Sequence, residues 1–303
     1  MSLSMKVDFA VILFYKFTNI ANPKALAALH REKCQELGLK GRVIIAEEGI
    51  NATLEGRVES IAAYKDFLKT DAANIAAGFD RITVKESDGI GRAFPKLSVK
   101  VRDEVVTLGA GRFDVEKETA PEVTAAELQK WYETDEDFVV LDLRNDYEIA
   151  SGKFERTVDI GLKNFRDLPA RIGDLRKELE KIPNIRGKKI VPVCTGGIRC
   201  EKATCLLKRE GFENLYQLKD GIHTYIAENP GKHFKGTLFV FDNRMTTDVV
   251  PVSGKNIIGR CFFCDTATEN YCSDDSVRPS RKILCCEKCF EVEGAHLREA
   301  VTF

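Results

Sequence analysis

At 303 residues the chain exceeds what one hydrophobic core usually organises, so two or three domains are expected. Its 46 Lys and Arg against 47 Asp and Glu leave a net charge of −1, so any surface for nucleic acid must be local rather than global. No apolar stretch approaches membrane-spanning length and no signal peptide opens the chain, so a membrane partner is not expected. The ten cysteines read as cytoplasmic thiols used for metal or catalysis rather than as a disulfide framework.

The first segment alternates strand and helix signals. Residues 9–15 form an apolar strand candidate, and Asn22-Pro23 then opens a helix running to about Leu37, with Asn22 as N-cap. Residues 42–46 and 50–54 read as strands flanking the turn Glu48-Gly49. A helix over 60–69 and a strand near 82–86 complete β-α-β-β-α-β, the ferredoxin-like (acylphosphatase-like) order. Residues 96–101 and 105–108 add a hairpin-like pair. Gly89-Ile90-Gly91-Arg92-Ala93-Phe94 begins like a dinucleotide fingerprint but lacks the third glycine, and no flavin or nicotinamide motif is present elsewhere. The stretch 91–112 holds Arg92, Lys96, Lys100, Arg102 and Arg112 against Asp103 and Glu104, and an acidic stretch follows, which places a linker at 113–122.

The second domain opens at Thr124, a plausible N-cap for a helix over 125–132. The fully apolar run 138–142 has the pattern of a parallel strand covered on both faces, and 166–182 reads as one amphipathic helix. A second apolar strand, 189–193, leads into Cys194-Thr195-Gly196-Gly197-Ile198-Arg199-Cys200 and then a helix. The glycine pair lets successive backbone N–H groups face the Cys194 sulfur, and the helix N-terminus adds to that field, so thiolate is favoured over thiol. This predicts a nucleophile at the mouth of a small α/β domain with a central parallel sheet. A structural core cysteine is the bland alternative, which the Gly-Gly pair and Arg199 weigh against. For Arg199 itself two roles stay open, charge at the loop mouth or an ion pair with Glu148 or Asp142. Cys200 is a candidate resolving thiol, and Cys205 a core residue.

The tail is short and turn-rich. Its Cys261-x2-Cys264 and Cys286-x2-Cys289 pairs, about twenty residues apart, have the spacing of a structural zinc site, with Cys272 and Cys285 spare. The divisions expected are therefore 1–113, 114–231 and a Cys-rich 232–303: a multidomain α/β and α+β chain. Phe94 and Tyr271, lying near basic residues in sequence, are candidates for stacking on unpaired bases. The four histidines show no H-x-D or H-E-x-x-H spacing.

Asp142-Leu143-Arg144-Asn145-Asp146-Tyr147-Glu148 with Gly152 is similar to the D-x-R-x-x-x-E…G motif of rhodanese domains, and Cys194 through Arg199 resembles their C-x4-R active loop. That loop is one residue shorter than the C-x5-R cradle of cysteine phosphatases, which argues against phosphoester hydrolysis. With Ala46-Glu47-Glu48-Gly49-Ile50-Asn51-Ala52-Thr53, Phe239-Val240-Phe241-Asp242-Asn243-Arg244 and the terminal cysteines, the whole chain resembles the rhodanese-related, oxygen-dependent tRNA uridine 5-hydroxylases. It departs from rhodanese domains at Lys153, where His is common, and at Asp220, where Gly is frequent. The resemblance implies 5-hydroxylation of the wobble uridine in the tRNA anticodon loop with dioxygen as co-substrate, Cys194 as catalytic residue, Thr195, Gly196, Gly197, Ile198 and Arg199 as its loop, and Asp142, Arg144 and Glu148 as loop supports. Arg92, Lys96, Lys100 and Arg102 are the candidate RNA contacts. Two rivals remain at this point: a persulfide sulfurtransferase of rhodanese type, and a non-catalytic RNA-binding or redox scaffold. No protein partner is indicated.

Overall fold

The computed structural model describes residues 8–249 and 256–300, and the chain divides into two compact units, Met1–Thr107 and Leu108–Phe303. In the first unit β1 (Phe9–Phe17), α1 (Pro23–Glu36), β2 (Lys40–Ala46), β3 (Gly49–Arg57), α2 (Val58–Thr70), β4 (Lys85–Asp88) and β5 (Leu97–Val101) follow in order. The sheet runs β4-β1-β3-β2-β5: the antiparallel ferredoxin-like order plus β5, which joins the β2 edge in parallel. The Asn22 carbonyl oxygen of the side chain accepts the Ala25 N–H at 3.0 Å, so α1 starts where its cap sits. Ile12, Phe14, Val43, Ile45, Leu54, Ile61 and Tyr64 form the core between the sheet and the two helices. His30 is part of that core, with its ring nitrogens against the Tyr64 hydroxyl (2.7 Å) and the Asn74 side-chain oxygen (3.1 Å); burial brings its pKa down to about 4.

The expected hairpin partner at 105–108 is not a strand. Glu48 accepts the Val105 N–H at 2.8 Å and the Asn51 side chain donates to the Val105 carbonyl at 3.0 Å, so side chains of the β2–β3 turn satisfy the backbone that a ladder would have used. That gives Glu48 and Asn51, in the Ala46–Thr53 motif, a structural task. The Gly89–Ala93 stretch is similarly engaged. Glu55, buried under the sheet, accepts the N–H groups of Ile90 (2.9 Å), Gly91 (2.8 Å) and Ala93 (2.8 Å). Donors a nucleotide phosphate would need are already held by a carboxylate. The same loop packs Ala93 and Phe94 on Val11, leaving Phe94 2 % exposed, so the expectation that it stacks on a base is corrected.

The second unit is built on parallel strands. Lys189–Val193 pairs in parallel with Phe138–Asp142, which pairs in parallel with Thr157–Val158; Glu122–Val123 and Gln217–Leu218 pair alongside, linked by the Ile190–Leu215 bridge. The Ala125–Glu133 helix starts at Thr124 with its capping box complete. Residues 166–182 are not one α-helix: Phe165–Arg171 is a 3-10 segment and only Ile172–Glu180 is α-helical, because Pro169 lies inside the run and has no N–H to give an i−4 carbonyl. In the Cys-rich region Tyr271–Asp274, Arg281–Leu284 and Leu297–Glu299 form a three-stranded sheet. No helix among the described residues is long and apolar enough to cross a membrane.

Candidate active loop and cysteine cluster

Asp142 ends one strand and Val193 its neighbour, and the two residues are register partners. The residues that follow each therefore emerge side by side at the carboxyl ends of parallel strands, where open α/β sheets place their sites. Cys194 through Gly197 turn there, Gly197 with φ of 100°, and the Ile198–Arg209 helix begins. The Gly197 N–H donates to Cys194 Sγ at 3.2 Å, and the Arg199 and Cys200 N–H groups also face the sulfur. A second helix, Gly221–Glu228, brings its first N–H groups to the loop: Ile222 donates to the Cys194 carbonyl and His223 to the Thr195 carbonyl, both at 3.0 Å. Its Gly221 is required by space, since a Cβ there would lie 2.6 Å from Gly197 N and 2.7 Å from the Cys194 carbonyl oxygen. The sequence reading passed over this glycine; its signal was the Asp-Gly pair directly after a strand. Asp220, at φ 59°, takes up the left-handed conformation itself where glycine is frequent.

Burial opposes ionisation of the Cys194 thiol, but the hydrogen bond from the Cys200 thiol, the Arg199 charge and the loop N–H groups outweigh it and bring the pKa down to about 6. The thiolate predicted from the loop is thus supported by its surroundings. Its openness is not: Cys194 is 1 % exposed, which corrects the expectation of a sulfur open at the mouth of the domain. The loop lies between two helix N-termini, and the Phe241 ring packs 5.7 Å from the Arg199 guanidinium. Phe241 is a residue whose role at the loop the sequence reading did not assign.

Arg199 is an ion-pair residue. Its guanidinium meets Glu148 in bidentate fashion, Nη1 to Oε2 at 2.8 Å and Nη2 to Oε1 at 2.7 Å, with both side chains buried. Thr195 donates its hydroxyl to Glu148 Oε1 at 3.2 Å, tying the loop to the same carboxylate. Arg144 and Asp142, both 0 % exposed, form a second pair at 2.6 Å, and Arg144 also donates to the Gly152 carbonyl at 2.7 Å. Gly152 must lack a side chain because a Cβ would come 2.2 Å from the Thr237 carbonyl oxygen. The D-x-R-x-x-x-E…G motif is therefore one scaffold: one acid fixes Arg144, Arg144 fixes the backbone at Gly152, and Glu148 fixes the loop arginine. Ile198 and Gly196 contribute backbone to the turn. Cys205 spends its thiol on the Glu201 carbonyl at 3.1 Å.

Tyr271 is buried, donates its hydroxyl to the Tyr147 carbonyl and packs on Phe239, so it too is unavailable for base stacking. Through Tyr147, Phe239 and Tyr271 the Cys-rich region packs against the segment carrying Glu148. The sulfurs of Cys261, Cys264, Cys286 and Cys289 all lie within 4.8 Å of one another. Tetrahedral thiolates about 2.3 Å from a metal stand about 3.8 Å apart; Cys264 and Cys286 Sγ are 3.6 Å apart, far beyond a disulfide bond. The Cys286 N–H points at Cys261 Sγ at 3.4 Å, as donors do toward bound thiolates. The cluster fits a metal ion. Cys272 and Cys285 fall outside it, as expected. Arg92, Lys96, Lys100 and Arg102 are all exposed in the first unit, the last two at the β5 edge of the sheet and just past it.

Residues 9–105 match the family described as UPF0176 acylphosphatase like domain, 124–228 the rhodanese-like domain and 235–297 the rhodanase C-terminal family. The chain is 39 % identical over 289 residues to a tRNA uridine(34) hydroxylase of Cytophaga hutchinsonii, covering 95 % of this chain and 88 % of that one. It is 39 % identical over 303 residues to a protein of the same name from Bacillus licheniformis (97 % and 87 % covered), and 38 % identical over 289 residues to one from Staphylococcus haemolyticus (93 % and 85 %).

Proposed function

The chain belongs to the tRNA uridine(34) hydroxylase family, and from that premise we propose that the Cys194 thiolate carries out oxygen-dependent 5-hydroxylation of the wobble uridine. Uracil C5 is a poor nucleophile until something adds at C6. Attack of the thiolate on C6 creates an enolate whose C5 reacts with dioxygen. The observation that carries this reading is the Cys194 sulfur held by the Gly197 N–H inside a loop of backbone donors, next to the buried Arg199–Glu148 pair, surroundings that bring its pKa down to about 6. In it Cys194 is the catalytic residue, 195–199 form the cradle, and Asp142, Arg144 and Glu148 position that cradle.

A base in the anticodon loop is unpaired and reaches a recessed sulfur by being turned out of its stack. The side chains that bury the Cys194 sulfur move aside for it. Arg92, Lys96, Lys100 and Arg102 supply phosphate contacts from the first unit, in the cytoplasm where tRNA is modified. By role the chain divides as 1–113 for RNA, 114–231 for chemistry and 232–303 for support.

The test uses anticodon-loop RNA carrying 5-fluorouridine, which cannot lose its C5 substituent as a proton. A covalent adduct mapping to Cys194 by mass spectrometry is expected. Its absence, with sulfur transfer from thiosulfate in its place, favours the persulfide reading.

The four clustered cysteines are assigned to structural zinc, which supplies a cross-link and no chemistry to the reaction. About one zinc ion per chain is expected by elemental mass spectrometry, falling to near zero in Cys264→Ser. Chelation of the wild-type protein is expected to lower its Tm while leaving the Cys194 thiolate in place.

A further inference from the structure

Cys200 has a place in the site and, so far, no task in the reaction. It is 1 % exposed, its N–H closes the first turn of the helix on the Gly197 carbonyl at 2.9 Å, and its thiol hydrogen-bonds the Cys194 sulfur. Reduction of dioxygen to a hydroxyl group and water takes four electrons, and oxidation of the uridine C–H bond yields only two. The remaining two must come from a reductant. Two thiols in hydrogen-bond contact hold that number of electrons and release them by forming one bond.

We propose that Cys194 and Cys200 form a dithiol that supplies these two electrons, so that each turnover ends with a Cys194–Cys200 disulfide. This rests on the reading that Cys194 adds to uridine C6. Addition forms the C6–S bond and moves an electron pair toward C5. C5 bonds to dioxygen and, with a proton from solvent, becomes a hydroperoxide. The Cys200 sulfur attacks the outer peroxide oxygen; the O–O bond breaks, C5 keeps a hydroxyl, and Cys200 becomes a sulfenic acid. Loss of the C5 proton expels the Cys194 thiolate and restores the C5–C6 double bond. That thiolate then attacks the Cys200 sulfur, forming the disulfide and releasing water. The sum is uridine C–H plus dioxygen plus two thiols giving C–OH plus water plus disulfide. A thiol reductant, small or protein-borne, resets the pair.

The surroundings sort the two sulfurs into these roles. Burial and the adjacent Cys194 thiolate keep Cys200 protonated while Cys194 is ionised. Once Cys194 is bonded to C6 its charge is gone, which removes the repulsion that held the proton on Cys200. Cys205 on the same helix, bonded to the Glu201 carbonyl, has no such contact.

The experiment is a single turnover: fully reduced protein is mixed with excess tRNA without added thiol, then exposed to dioxygen. Expected are at most one 5-hydroxyuridine per chain and an equal amount of Cys194–Cys200 disulfide in alkylated peptides, with further product only after thiol is added. Cys200→Ser is expected to keep the 5-fluorouridine adduct on Cys194, which also shows that it folds, while hydroxylation falls at least 100-fold. Several products per chain without reductant, product without the disulfide, or wild-type turnover in Cys200→Ser overturns the dithiol role. Loss of the adduct in the wild type overturns the underlying reading instead.

Discussion

Cys194→Ser is expected to abolish uridine hydroxylation, lowering kcat/KM by at least about 10³-fold, as removal of a nucleophile does when no other group can take its place. The serine hydroxyl fits the same space, and the cradle N–H groups would hold it as they hold sulfur. They stabilise a thiolate; they bring a hydroxyl nowhere near ionisation at neutral pH. The readout is nucleoside mass spectrometry of tRNA from cells whose own copy is replaced by the variant. A scaffold without catalysis predicts unchanged 5-hydroxyuridine there. The companion measurement is alkylation of Cys194 against pH. Because the anion is the reactive form, the rate should climb about tenfold per pH unit below the pKa and level off above about 6, whereas an ordinary thiol levels off only above about 8.5. Restricted access of the reagent slows the whole curve without moving its midpoint, so the midpoint and not the rate is diagnostic.

The features legible in the sequence were those encoded locally. Asn22 before Pro23, Thr124 three residues before Glu127, and a glycine pair between an apolar run and an arginine each act through bonds to near neighbours, and each does so in the structure. The C-x2-C pairs were legible for the same reason. What escaped depends on residues far apart in the chain. Nothing local to 105–108 says that Glu48 and Asn51 will take its backbone bonds, and nothing local to Arg199 says that Phe241 will pack against its guanidinium. Phe94 and Tyr271 were assigned to bases because charges neighbour them in sequence; in space they are core residues. Arg199 shows the intermediate case. The sequence narrowed its role to two, and the choice of Glu148 over Asp142 was made by Arg144, which occupies Asp142 completely.

That division of partners makes Glu148 the most sensitive structural position at the site. Glu148→Ala is expected to destabilise the second unit by about 3–5 kcal/mol, the cost of leaving a buried charge without its counter-ion. The lost carboxylate accepts from both Arg199 nitrogens, the Thr195 hydroxyl and the Asn145 N–H. Denaturant unfolding would report the loss as a lower midpoint. The Cys194 titration separates this role from mere packing. With Glu148 gone, the Arg199 charge is no longer balanced, so the thiolate beside it gains stabilisation and its alkylation midpoint should fall below about 6. Removing the other half of the pair must act oppositely: Arg199→Met leaves the Glu148 carboxylate near the sulfur, and the midpoint should rise. Both variants lose stability by a similar mechanism, yet their thiols move in opposite directions. A packing role alone would shift neither midpoint, and a cation aimed only at substrate would leave the free protein's thiol where it was.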